Sequence, residues 1–100
     1  MFLVLWEYDV KPGLESRFQK VYGPDGGWAQ FFRRDPHFRE TRLLRELSRP
    51  SVYVTLDFWD SREPYEKFRQ QNREAYLALD RSCEVLTLHE KHLGSFDQIP

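Results

Sequence analysis

The segment from Val52 to Trp59 constrains the fold most. Val52, Val54, Leu56 and Phe58 alternate with Tyr53, Thr55, Asp57 and Trp59. A period of two marks a β-strand, and here both faces are largely apolar. The stretch from Phe2 to Val10 behaves the same way: Phe2, Val4, Trp6, Tyr8 and Val10 alternate with Leu3, Leu5, Glu7 and Asp9. A strand that is apolar on both faces has to be covered on both faces. A chain of 100 residues has room for one core and one domain, residues 1–100. One layer of helices covers one side of a sheet. The other side would leave an apolar patch in water, and its simplest cover is the sheet of a second identical chain.

The remaining elements follow from periodicity and from breakers. Lys11-Pro12-Gly13 ends the first strand. Leu14, Phe18, Val21 and Tyr22 then form a helical stripe, which Gly23-Pro24-Asp25-Gly26-Gly27 interrupts before a short helix with Trp28, Phe31 and Phe32. A charged strand is expected from Phe38 to Leu47. The four-residue connection Ser48-Arg49-Pro50-Ser51 makes it the hairpin partner of Val52–Trp59. Ser61 is placed as the N-cap of one long helix ending near Arg81, with Pro64 tolerated in its first turn. Tyr65, Phe68, Asn72, Ala75, Tyr76 and Leu79 lie on one side of it. A last strand covers about His89 to Phe96. The order β-α-β-β-α-β is the ferredoxin-like arrangement, an α+β fold on a four-stranded antiparallel sheet.

Fifteen Lys and Arg against sixteen Asp and Glu leave a formal charge of -1, so no basic balance favours nucleic acid. Aromatics at 16% argue against disorder. Cys83 is the only cysteine and cannot form an internal disulfide. The apolar run Phe2–Trp6 lacks a basic flank and is too short for a signal or membrane segment. A soluble, cytoplasmic protein without membrane or nucleic-acid partners is expected. His89 and His92 are three apart, so on a strand they point to opposite faces, and no Cys/His set for a metal is visible.

The element order, the doubly apolar strands, and Phe58-Trp59-Asp60-Ser61-Arg62-Glu63 followed by Tyr65 and Phe68 resemble the antibiotic biosynthesis monooxygenase family, within the dimeric α/β barrel superfamily. Tyr22-Gly23-Pro24-Asp25-Gly26-Gly27-Trp28 and Leu93-Gly94-Ser95-Phe96 are similar to an uncharacterised branch of it. The resemblance implies a homodimer whose two sheets form a barrel, with pockets between each sheet and its own helices. Some members oxidise phenolic polyketides with O2 and no cofactor. Their strand-end Trp corresponds to Trp59 and a Tyr six residues later to Tyr65, whereas Thr55 stands where they have Asn. Haem-degrading members use a His on the second long helix, and no His occurs from Ser61 to Arg81. Neither a metal nor a cofactor is expected.

Several side chains are candidates for chemistry. Trp59 and Tyr65 suit an aromatic ligand, as a flat wall and a hydroxyl; equally, they are ordinary core aromatics. Asp57 shares the Trp59 face. It is a candidate general base, or an ion-pair partner for an arginine such as Arg42. Asn72 either reaches a ligand or satisfies a buried backbone group. Trp28, Phe31 and Phe32 form either a lid hinged at Gly26-Gly27 or an extension of the core. If the Trp6 face also looks toward the helices, Trp6, Tyr8 and Tyr53 join Trp28, Phe68 and Asn72 as ligand-binding residues beside the catalytic candidates Asp57, Trp59 and Tyr65. Val52, Val54, Leu56 and Phe58 are then the dimer seam. Two functions follow: a cofactor-independent monooxygenase acting on an aromatic or polyketide-like substrate, or a dimeric ligand-binding or accessory domain without turnover.

Overall fold

A computed structural model describes all residues, 1–100. The chain runs β1 (Phe2–Val10), α1 (Glu15–Tyr22), α2 (Gly27–Phe32), β2 (Phe38–Arg45), β3 (Val52–Trp59), α3 (Arg62–Gln71), α4 (Arg73–Cys83), a 3₁₀ turn (Glu84–Leu86) and β4 (Thr87–Asp97). The sheet order is β2-β3-β1-β4, and every neighbouring pair is antiparallel. This is the ferredoxin-like α+β fold that the element order predicts.

The two doubly apolar strands lie side by side in the middle of the sheet. Phe2 opposes Trp59, Val4 opposes Asp57, Trp6 opposes Thr55 and Tyr8 opposes Tyr53. These residues share the face that the helices cover. Tyr53 and Trp59 are buried there, with Phe2, Val4, Tyr8 and Val10. The opposite face carries Leu3 against Phe58, Leu5 against Leu56 and Glu7 against Val54. Its residues Leu3, Leu5, Val54, Leu56 and Phe58 remain half-buried, without helix cover.

The core is an aromatic network. Phe18 stacks on Tyr22 with ring centres 4.2 Å apart, and Trp59 lies between Phe32, Phe38, Tyr65 and Phe68. Of the two alternatives for Trp28, Phe31 and Phe32, the lid hinged at Gly26-Gly27 fails at Gly26. A Cβ at Gly26 would lie 2.3 Å from the Val21 carbonyl oxygen and 2.4 Å from that of Lys20. The loop thus lies tight against the end of α1, and Gly26 is a close-packing residue. Trp28, Phe31 and Phe32 are buried members of the core.

The single long helix expected from Ser61 to Arg81 is two helices. Asn72 separates them, with φ -118° and ψ 28°. The backbone bonds from Asn72 N to Phe68 O and from Tyr76 N to Asn72 O continue across the junction. Asn72 Nδ2 also donates to Phe68 O at 2.9 Å. Side-chain capping of the backbone is the usual reason Asn bends or ends a helix. Ser61 does occupy the N-cap position, but its hydroxyl makes no capping bond. β4 begins two residues earlier than expected, directly after the 3₁₀ turn. No helix is long and apolar enough to cross a membrane.

Candidate functional site

A cavity of about 230 Å³ lies between the sheet and the helices. Its floor is sheet: Val4, Trp6 and Tyr8 from β1, Thr41 from β2, Thr55 and Asp57 from β3, and Glu90 from β4. Its roof is helical: Tyr22, Trp28, Phe32, Tyr65, Arg69, Tyr76, Leu77 and Asp80. Aromatic rings dominate this wall, and each polar group in it therefore has few competitors for a ligand.

Asp57 is the central polar group. Thr41 Oγ1 donates to Asp57 Oδ1 at 2.6 Å, and the other carboxylate oxygen accepts no hydrogen bond from the protein. Burial among rings pushes the carboxyl up to about 6, against the lowering effect of the Thr41 bond. The expected alternative, an ion pair with Arg42, is excluded by register. Thr41 opposes Asp57, whereas Arg42 opposes Leu56 on the other sheet face and binds Glu40 Oε1 at 2.9 Å.

Tyr8, Tyr65 and Tyr76 on the cavity wall are held protonated by burial. Tyr8 is raised well above the usual phenol range, first by desolvation and then by the nearby Tyr22 and Asp57. Burial pushes Tyr76 up to about 12. Tyr65 is raised by burial too, with Arg69 opposing the shift. Arg69 Nη1 donates to Tyr65 Oη at 3.3 Å, and the guanidinium carbon lies 4.6 Å from the Tyr76 ring centre. Glu90 is raised by partial burial and by the charges of Asp80 and Glu84.

The structure divides the sequence candidates. Asp57, Tyr65, Trp6, Tyr8 and Trp28 come together on the cavity wall. Trp59 does not: it is fully buried behind that wall, and its Nε1 has no hydrogen-bond partner. Phe68 packs against it at 5.5 Å and is likewise core. Tyr53 is buried toward α1, where its hydroxyl accepts from Gln19 Nε2 at 2.8 Å. Asn72 takes the backbone role at the end of α3. Of the residues not foreseen, Arg69 was legible as i+4 from Tyr65 on one helix face. Glu90 was not legible. It opposes Tyr8 only because the β1–β4 register shifts between Leu5 and Trp6.

A second, open groove of about 620 Å³ adjoins the cavity. The two share Trp6, Tyr65, Arg69, Tyr76 and Leu77. Beyond these the groove is lined by Phe2, Arg62, Glu66, Gln70 and Arg73 on one side and His92 and Ser95 from β4 on the other. It is open because the helices reach little of β4, most of whose residues are exposed. His89 and His92 oppose Asp9 and Trp6 respectively, on opposite faces of the sheet. No group of three or more His, Cys, Asp and Glu side chains converges as a metal site requires.

Comparisons with known proteins agree with this architecture. The cofactor-independent oxygenase SnoaB from Streptomyces nogalater superposes with a TM-score of 0.71 at 22% identity over 99% of this chain and 93% of that one. A candidate antibiotic biosynthesis monooxygenase from Nitrosomonas europaea gives 0.70 at 13% identity over 100% of both chains. An uncharacterised NIPSNAP domain protein from Burkholderia xenovorans gives 0.72 at 16% identity over 99% of this chain and 95% of that one. At these identities the likeness concerns the fold. No curated protein sequence matches the chain. The family profile described as antibiotic biosynthesis monooxygenase matches residues 1–79, a span that contains β1 through most of α4 and every cavity residue except Asp80 and Glu90. The chain belongs to the antibiotic biosynthesis monooxygenase family.

Proposed function

We propose that this chain is a cofactor-independent monooxygenase that takes a compact phenolic or polyketide-like aromatic substrate into the cavity between its sheet and helices. The observation that carries the reading is the state of Asp57. One oxygen is fixed by Thr41 and the other is free in an aromatic cavity, with the pKa near 6. A base near neutrality combines a large ionised fraction with useful proton affinity.

The chemistry requires a substrate whose ring CH2 is acidified by a neighbouring carbonyl and phenol. Asp57 removes one proton from that carbon. The carbanion and O2 then form a C–O bond, and the Asp57 proton is returned to the peroxide oxygen, giving a hydroperoxide. Loss of water leaves a carbonyl, so CH2 and O2 become C=O and H2O. Tyr65, with its hydroxyl held by Arg69, is positioned to donate to the oxygen on which the carbanion charge develops. Trp6, Tyr8 and Trp28 supply the ring-binding walls. Trp59 and Phe68 support them from behind.

The test is O2 consumption with a hydroxyanthrone probe. Wild-type protein should accelerate it, with kcat/KM rising with pH through about 6 as Asp57 ionises. Asp57→Asn should reduce it by about 100-fold or more. If the probe binds but O2 uptake stays at the uncatalysed rate, the ligand-binding or accessory function takes its place. One observation favours that second reading: Thr55, whose side chain lines the cavity, stands where the oxidases have Asn.

The working unit in this reading is a homodimer joined through the sheet face of Val52, Val54, Leu56 and Phe58. Val54, Leu56 and Phe58 are only half-buried there, which supports it, while Val52 is already buried within the chain. The single buried thiol, Cys83, suits a reducing compartment such as the cytoplasm.

A further inference from the structure

Two arginines in the open groove have no acidic partner. Arg69 lies in the last turns of α3 and Arg73 begins α4, and both line the groove. On the same wall Arg62 is paired with Glu66 at 2.8 Å. None of the ion pairs in the molecule involves Arg69 or Arg73. Like charges one helical turn apart repel, and this pair is left without a counter-charge. Arg69 is also held in place, between the Tyr76 and Tyr65 rings and on the Tyr65 hydroxyl. Across the groove, the His92 ring lies 5.0 Å from Trp6, and Ser95 Oγ is 3.5 Å from His92 Nε2. Hydrogen-bonding groups thus face the two cations.

The cavity has the opposite polarity. Asp57, Asp80 and Glu90 line it against the single cation Arg69. A negatively charged substituent would be repelled from the cavity and attracted by the groove. The shared wall of Trp6, Tyr65 and Tyr76 makes the two spaces continuous, so one ligand reaches both.

We infer that the groove is a subsite for an oxyanion carried by the aromatic ligand, a carboxylate or a phosphate, recognised by Arg69 and Arg73. Guanidinium groups match both oxyanions in charge and in planar donor geometry. Ser95 and His92 complete the opposite wall. The ligand then enters with one orientation, ring inward and anion outward. This rests on the aromatic-cavity reading above and specifies the substrate class for it.

The test is calorimetric titration with 2-naphthamide, 2-naphthoate and 2-naphthyl phosphate. At least one anion should bind about tenfold or more tightly than the amide, since charge-assisted hydrogen bonds are the strong ones. The better anion names the group. Arg73→Gln should bring the anion-to-amide ratio to within about twofold, and Arg73→Lys should give an intermediate ratio, because the charge is retained but the planar fork is lost. An amide that binds as well as both anions overturns the subsite and leaves the aromatic cavity standing. So does a preference that survives both Arg73→Gln and Arg69→Gln. Failure of all three probes to bind overturns the cavity reading and the subsite together.

Discussion

At Asp57, the proposed base role and stability pull in opposite directions. Its folded pKa of about 6 exceeds the unfolded value of about 4. Between those values the folded state holds a proton that the unfolded chain has released. Stability therefore falls as pH rises through this window and is flat above it. The shift corresponds to about 2–3 kcal/mol. Asp57→Asn keeps the acceptor for Thr41 and removes the buried charge. The variant should be more stable than wild type by about that amount at pH 7.5, and the difference should shrink toward pH 4.5. Urea unfolding at the two pH values measures it; parallel wild-type and variant profiles would show that Asp57 is not the strained group. Thr41→Val should raise the Asp57 pKa further, because the Thr41 bond favours the ionised form, and should shift the acidic limb of the pH–rate profile upward. Asp57 was legible as a polar residue in an apolar alternation. Its partner was not. The hairpin register that pairs Arg45 with Tyr53 runs unbroken to Thr41 opposite Asp57, and a register longer by one residue would have put Arg42 there instead.

Among elements, strands were more legible than helix ends. Alternation over Val52–Trp59 reproduces β3 to the residue, because both flanks carry turn residues and each side chain has a definite face. β2 stops at Arg45, short of the expected Leu47. The hairpin closes through the Glu46 N to Val52 O bond, and Leu47 projects into solvent at 98% exposure. The break at Asn72 left no mark on the apolar stripe, since Phe68, Ala75 and Tyr76 keep helical spacing across it. Its signal was the residue type alone, and Asn72→Ala should cost about 1 kcal/mol in thermal unfolding through the lost bond to Phe68 O. The turn before α2 makes a stronger demand. Any side chain at Gly26 collides with the Val21 and Lys20 carbonyls, which are backbone and cannot swing away. Gly26→Ala should destabilise by about 1–3 kcal/mol or more and loosen the Trp28 wall of the cavity. The same substitution at Gly27, where no atom lies within 4 Å, should be tolerated. Equal melting temperatures for the two variants would refute the packing role.

The whole molecule is a slab, 36 × 33 Å across and 21 Å thick. One broad side is helices. The other is bare sheet, with Leu5 beside Leu56 and Leu3 beside Phe58 at its centre, and with Phe96 48% and Leu44 53% exposed near its edges. A two-layer fold buries one sheet face only, so the second apolar face must be covered by something outside the 100-residue layer pair. In the homodimer proposed above, a second copy does this symmetrically. Covering two such faces buries on the order of 2,000 Å² in total, the scale of an obligate interface. The charged residues on this face, Glu7, Asp9, Glu40 and Arg42, frame the apolar centre as a polar rim does. Leu56→Asp places a carboxylate at that centre, where it would be buried without a partner. It should convert the proposed dimer to a folded monomer, since Leu56 makes no part of the helix-side core. Trp59→Ala acts on the other side of the same strand. It removes a fully buried ring from among four others and should cost about 3–5 kcal/mol of stability, with any surviving folded protein still dimeric. Sedimentation velocity with circular dichroism separates the two outcomes. A wild-type monomer at micromolar concentration, or a Leu56→Asp variant that stays dimeric, would mean that this face is not the seam and that something else covers it.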